Sequence, residues 1–210
     1  LDMTAARFPD GPPGRAQGND APLRPAADTA LPADVRLPRR IVTIDRDPGR
    51  GSTVSVELAP DVRTDPARPG FANARLWVTD SAPAKIVCET LHLPHTLEPP
   101  RPGSVLRVLC LPPDDSWQGK VSAAGVQAYF RALGSPQALT YSASAAHPYM
   151  QKTRTLDFCA VMDGEATLVL DTAEVKMAAG DVAILRGANH AWSNRSAHPA
   201  RVAIASHAAA

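Results

Sequence analysis

Aromatic residues are scarce in this chain of 210 residues, at 5%. Cysteines number three, Cys88, Cys110 and Cys159, an odd count at long spacings. That excludes a disulfide scaffold and a zinc module. Cys110 and Cys159 lie in apolar runs and read as buried free thiols, which pack like small hydrophobes. Free thiols point to a reducing compartment, the cytoplasm. No run of 18 apolar residues is present, so no membrane-spanning helix is expected. The first residues lack a charged start followed by an apolar stretch, so no secretory leader is expected. Excess charge is missing as well: 22 Lys and Arg against 21 Asp and Glu give a net +1. Nucleic-acid binding draws its affinity from neutralised phosphates, and this balance excludes a chain built for it.

What is present divides at about residue 38. Residues 1–38 hold seven of the 21 prolines, with Ala, Gly and Asp between them and no apolar periodicity. Such a segment cannot offset its ordering entropy by burial and reads as a flexible, disordered tail. Residues 39–207 read as one domain. "RIVTID" (40–45), "TVSVEL" (53–58), "RLWVT" (75–79) and "SVLRVLCL" (104–111) are strand candidates, with "RDPGRGS" as a turn between the first two. One helix is expected over 120–134, because apolar residues at 126, 129, 130 and 133 form a stripe and Gly134 suits a C-terminal stop.

The last third is dense in strands: 153–162, 165–171, 174–178, 182–185 and 200–206. Asp163-Gly164 reads as a hairpin dipeptide between the first two. Short strands every eight to twelve residues with Gly and Asp turns argue for an antiparallel barrel or sandwich. After "VAIL", Gly187 opens a turn that carries His190, Trp192 and Asn194. Asn194-Arg195-Ser196 fits a glycosylation sequon and is read as chance.

The spacing of these residues over 145–206 resembles the cupin superfamily, the RmlC-like jelly rolls. The general pattern places two His and a Glu on one strand, with a Gly closing it, and then Gly, Pro-x-Gly, His and Asn in a second part. Asp157 stands at the Glu position before Gly164; Gln151 and Thr153 stand where the paired His are usual. Gly180, Gly187, His190 and Asn194 match the second part, with Leu185 in place of Pro. The resemblance implies an all-β, cupin-type antiparallel jelly-roll barrel, here with added N-terminal strands and one α-helix.

The resemblance also implies a cavity. Side chains alternate along a strand, so Gln151, Thr153 and Asp157 are expected to point inward with His190. In metal-dependent cupins three His and one Glu bind a divalent cation. Here Gln and Thr are weak neutral ligands, leaving Asp157 and His190, with His147 as a substitute, for any Fe, Mn, Ni or Zn. No metal or other cofactor is assigned. His92 and His95 flank Pro94 in a loop without fixed geometry, and His198 and His207 are expected at the surface. Lys152 and Arg154 should face outward, as should Phe158, Ala160 and Met162. An apolar outer face needs a cover, and the resemblance implies a homodimer.

The functional expectation follows from the pocket. His190, with an ordinary pKa near 6.5, suits proton transfer, and Asp157 would orient it and raise its pKa. Gln151 and Thr153 would hydrogen-bond a small-molecule substrate against the apolar wall of Trp192. This describes a metabolic enzyme of lyase, isomerase, cyclase or decarboxylase type without a tightly bound metal. A non-catalytic cupin binding a small ligand is the alternative, and a metal-dependent dioxygenase with altered ligands is a third.

Overall fold

The structure, a computed structural model, describes residues 31, 32, 35–45 and 52–210. Most of the expected tail and the "RDPGRGS" turn lie outside the described residues. Eleven strands are described: β1 (Arg39–Asp45), β2 (Ser52–Leu58), β3 (Asp61–Thr64), β4 (Ala72–Thr79), β5 (Ser104–Leu111), β6 (Thr155–Asp163), β7 (Glu165–Leu170), β8 (Glu174–Ala178), β9 (Val182–Arg186), β10 (His190–Ser193) and β11 (Ala200–Ala208). Among the described residues there is one α-helix, α1, which spans Ala123–Ala132. Among the described residues no helix is long and apolar enough to cross a membrane.

The strands form a β1–β2 hairpin and two larger antiparallel sheets. One sheet has the order β3-β4-β5-β11-β6-β9 and the other β10-β7-β8. From β6 onward the chain passes repeatedly between these two sheets, which is the wiring of a jelly roll. The core lies between them. Leu109, Leu111, Cys159, Val161, Val202 and Ile204 come from the larger sheet, and Ala166, Leu168, Met177 and Trp192 from the smaller.

This wiring corrects the expectation for Asp163-Gly164. β6 pairs with β11 and β9, and β7 with β10 and β8, so the dipeptide is a corner between sheets and not a hairpin. Gly164 turns that corner at φ 71°, and a Cβ there would lie 2.8 Å from the Pro199 carbonyl oxygen. Glycine meets both demands.

α1 is shorter than the expected 120–134. Ser122 caps it by accepting a hydrogen bond from the Gly125 N–H at 3.1 Å. Val126, Tyr129 and Phe130 face the core, and Gly134 ends the turn at φ 64°. The helix closes one end of the barrel with an aromatic cluster: Tyr129 meets Phe71 and Tyr149 edge to face, and Trp117 meets Tyr149.

That cluster encloses Arg68. Its guanidinium lies 3.6 Å from the Phe71 ring centroid and 3.5 Å from that of Tyr149. Its Nε–H donates to Asp65 at 2.8 Å, and the Tyr149 hydroxyl donates to the same carboxylate at 2.6 Å. On the outside of the larger sheet, Leu31, Val35 and Leu37 pack over Ala72, Ala74 and Cys110. The end of the Pro-rich segment therefore lies against the barrel.

Candidate functional site

The barrel interior collects polar side chains on both sheets. On β6 the inward positions are Thr155, Asp157, Cys159 and Val161, all buried. Gln151 and Thr153 precede the strand, which begins at Thr155 and not at 153. Gln151 is carried into place by backbone bridging: its N–H donates to the His190 carbonyl at 2.8 Å, and the His190 N–H donates back at 2.9 Å. His190 is thus the first residue of a strand, β10, and not part of the turn before it.

The His190 ring is fixed at both nitrogens. Nδ1–H donates to the Ala188 carbonyl at 3.0 Å, and the Gln151 amide approaches Nε2 at 3.4 Å. Burial lowers the pKa of His190; the Ala188 carbonyl and the charge of Asp157 oppose that, and the charge of Arg107 adds to it. The ring is therefore held neutral, with its Nε2 lone pair inside the barrel. One expectation needs correction: Ala188, not Asp157, orients the ring. Asp157 raises the His190 pKa as expected, but burial outweighs it and the net shift is downward. Asp157 acts on His190 through space, and its Oδ1 has no hydrogen-bond partner.

The other expected residues divide. Trp192 is buried on β10, and its Nε1 has no partner. It lines a small interior cavity of about 30 Å3 together with Gln151, Arg68, Leu109, Tyr129 and Tyr149. Thr153 is buried, but its hydroxyl bonds the Thr155 hydroxyl at 2.7 Å. Asn194 is structural: its amide donates to the Leu111 and His198 carbonyls and accepts from Ser196. At 1% exposure it is no glycan acceptor in the folded chain.

His147 is buried away from solvent, not a free loop histidine. Its Nδ1 accepts from the Tyr149 N–H at 3.1 Å, its ring meets Trp117, and burial lowers its pKa to about 4. His95 bonds Asp61 at 3.1 Å, which gives it a structural role, while His92, His198 and His207 are exposed.

As a metal site the donor set does not fit. Among the described residues no three His, Cys, Asp or Glu side chains are grouped to hold an ion. Gln151 already faces Nε2 of His190, and Asp157 has no second strong donor beside it.

Sequence reasoning missed two residues. Arg107, buried on β5, donates through Nη2 to the Leu97 carbonyl and to Ser206 Oγ, and its Nε has no partner. Asn73 on β4 is buried, with its amide engaging the Tyr129 hydroxyl. A charged or amide residue at the inward parity of an apolar strand is the signal that marks both.

The chain is similar to solved cupin-domain structures. A Cupin 2 conserved barrel domain protein from Salinispora arenicola has 14% identity and a TM-score of 0.36 over 70% of this chain and 81% of that one. A putative ethanolamine utilization protein Q from Salmonella typhimurium has 10% identity and a TM-score of 0.39 over 83% and 99%. A sugar phosphate isomerase of the cupin superfamily from Silicibacter pomeroyi has 17% identity and a TM-score of 0.36 over 85% and 75%. No protein-family model matches the chain. Among curated proteins, phomopsin biosynthesis cluster proteins C' and D of Diaporthe leptostromiformis are each 50% identical over 48 residues. Oryzines biosynthesis cluster protein J of Aspergillus oryzae is 44% identical over 50 residues. The match spans 22% of this chain and 25% of each phomopsin protein, so the chain covers a quarter of their length.

Proposed function

We propose that the protein is a small-molecule enzyme of a biosynthetic pathway, with lyase, isomerase, cyclase or decarboxylase chemistry, in which His190 moves a proton without a tightly held metal. The observation that carries this is the His190 ring, neutral by burial, its Nδ1–H committed to Ala188 and its Nε2 lone pair inside the barrel. A neutral imidazole whose Nε2 meets only the long 3.4 Å contact from the Gln151 amide is a general base at physiological pH once a substrate displaces that contact. Once it takes a proton, the charge of Asp157 supports the imidazolium through space. Gln151 holds the base in place, and Trp192 supplies the apolar wall. The biosynthesis-cluster relatives support a role in building a specialised metabolite.

The test begins with native mass spectrometry of the purified protein to identify the molecule it carries. Turnover of that molecule or its precursor is then compared between the natural chain and His190→Ala. Loss of a general base is expected to lower the rate about 10²- to 10⁴-fold. Full turnover by the variant would rule the assignment out. A non-catalytic binder is the second reading, and the cavity favours it: about 30 Å3 is small beside the ~300–1,000 Å3 of ordinary ligand sites. On that reading the carried molecule is released unchanged.

We also infer that a second copy covers the outer face of β11, β6 and β9. Phe158, Met162, Val182 and Ile184 are exposed there, while the chain's own Leu31, Val35 and Leu37 cover the other half of the same sheet. An apolar patch of this kind is self-complementary about a twofold axis. The three free cysteines fit a reducing compartment, the cytoplasm.

A further inference from the structure

Arg107 and Asp157 stand on the two strands that flank β11. Asp157 lies directly across from Ser206, and Arg107 across from Ile204, two residues along. The Arg107 guanidinium reaches Ser206, its Nη2 lying 3.5 Å from the hydroxyl. A buried cation and a buried carboxylate thus share one neighbour, yet no ion pair joins them. The other buried arginines of the barrel contrast with this: Arg68 binds Asp65 at 2.8 Å and Arg75 binds Asp61 at 2.6 Å. Nε of Arg107 and Oδ1 of Asp157 both lack a partner. Asn73 pairs with Leu109, two residues from Arg107 on the same inward face, and its amide engages the Tyr129 hydroxyl. Leu109 itself lines the interior cavity.

Cores do not keep opposite charges side by side and unjoined without a reason, because each buried charge is costly until it is matched. A cation and an anion, each with an open position on one inner surface, make a receptor for a molecule that bridges them. We propose that the barrel's ligand is a small carboxylate with a hydroxyl or amino donor beside it, the carboxylate resting on Arg107 and the donor on Asp157. The proposal rests on the reading that the barrel binds a small molecule, and it names the class. A guanidinium N–H matches a carboxylate oxygen by charge and geometry. The Oδ1 of Asp157 accepts from a hydroxyl or an ammonium. The neighbouring cavity has room for about two waters, which favours a hydroxy or amino acid skeleton over a nucleotide or an extended aromatic.

Four probes test this on the full chain: glycolate, glycine, acetate and ethylene glycol, followed by tryptophan fluorescence and by thermal unfolding. Glycolate or glycine is expected to bind and raise Tm, and which of the two does so tells hydroxyl from ammonium. Acetate, lacking the donor, should bind about tenfold more weakly, the worth of one charge-assisted hydrogen bond, and ethylene glycol should not bind. Arg107→Gln should abolish the response and Arg107→Lys retain part of it, with circular dichroism checking the fold. If Arg107→Gln does not fold, the ranking of the four probes on the natural chain decides. Ethylene glycol binding as well as glycolate would overturn the proposal and leave the small-molecule barrel standing. No probe binding, with a molecule of another class carried by the native protein, would do the same. No probe binding and no carried molecule would overturn both.

Discussion

Two arginines are buried to the same degree in this barrel, and their surroundings differ. Arg68, in the aromatic plug, is stacked between Phe71 and Tyr149 and bonded to Asp65, which also accepts from the Tyr149 hydroxyl and the Ala67 N–H. Arg107, in the barrel wall, touches a backbone carbonyl and a serine hydroxyl, and no carboxylate. The plug joins its cation to a carboxylate and faces it with rings. The wall leaves donors and acceptors open. A buried charge joined to its counter-ion holds a fold together; one with no counter-ion bonded to it is available for binding. The same substitution at each site tests that distinction.

Arg68→Met carries the largest expected effect. It leaves the Asp65 carboxylate buried without its cation, and breaking such a pair costs about 3–5 kcal/mol. The lost ring contacts add to this. Denaturant unfolding measures it. A cost below about 1 kcal/mol, the level of an exposed pair, would show that the plug is not matched in the sense argued here.

The plug has a second weak point in His147, which sharpens the contrast with the wall. Burial holds its folded pKa at about 4, below the ordinary 6.5. Between these values the unfolded chain binds a proton that the folded chain does not, so stability is complete above pH 6.5 and falls as pH drops toward 4. At 1.36 kcal/mol per pH unit the loss approaches about 3 kcal/mol. Tm measured from pH 7.5 to 4.5 should decline through this window, and His147→Phe should flatten the decline. An unchanged pH profile in the variant would assign the decline to other groups, His190 among them, whose pKa is also lowered by burial.

Arg107→Met should cost less than its counterpart, about 1–2 kcal/mol, because it removes hydrogen bonds to Leu97 and Ser206 without breaking an ion pair. It should also abolish carboxylate binding. Equal costs at Arg68 and Arg107 would break the comparison.

How much of this was legible in the sequence depended on the range of the signal. Alternation along "TRTLDFCAVM" placed Asp157 and Cys159 inward and Phe158 and Met162 outward, and the structure agrees. The same alternation in "SVLRVLCL" holds Arg107 inward between Val105 and Leu109, a signal that was present and unused. Other features had no local signature. Asp163-Gly164 is a turn in any context, and only distant pairing decides whether the next strand returns to the same sheet. Ala188 orients His190 through a backbone carbonyl, which every residue possesses. Asp65 and Arg68 sit in the loop between β3 and β4, and their match to Tyr149 spans more than eighty residues. β3 itself, "DVRT", is four residues with two charges and no apolar alternation to reveal it.

The outer face of the larger sheet gives the smallest effect on the barrel and the clearest one on assembly. Phe158 and Ile184 are cross-strand partners, 43% and 51% exposed, and neither belongs to the core. Charging both, with Phe158→Glu and Ile184→Glu, removes no interior contact, so the unfolding free energy of the subunit should change by less than about 0.5 kcal/mol, as surface substitutions do. If a second copy sits on this face, four like charges meet about the twofold axis and the pair separates. Light scattering on the eluting protein should then report a dimer for the natural chain and a monomer for the double variant. A natural chain that is monomeric at all concentrations would remove the second copy from the account. The wall around Arg107 and the plug around Arg68 would be untouched by that result, since the residues that form them lie on the inner side of the sheet or at the barrel's closed end.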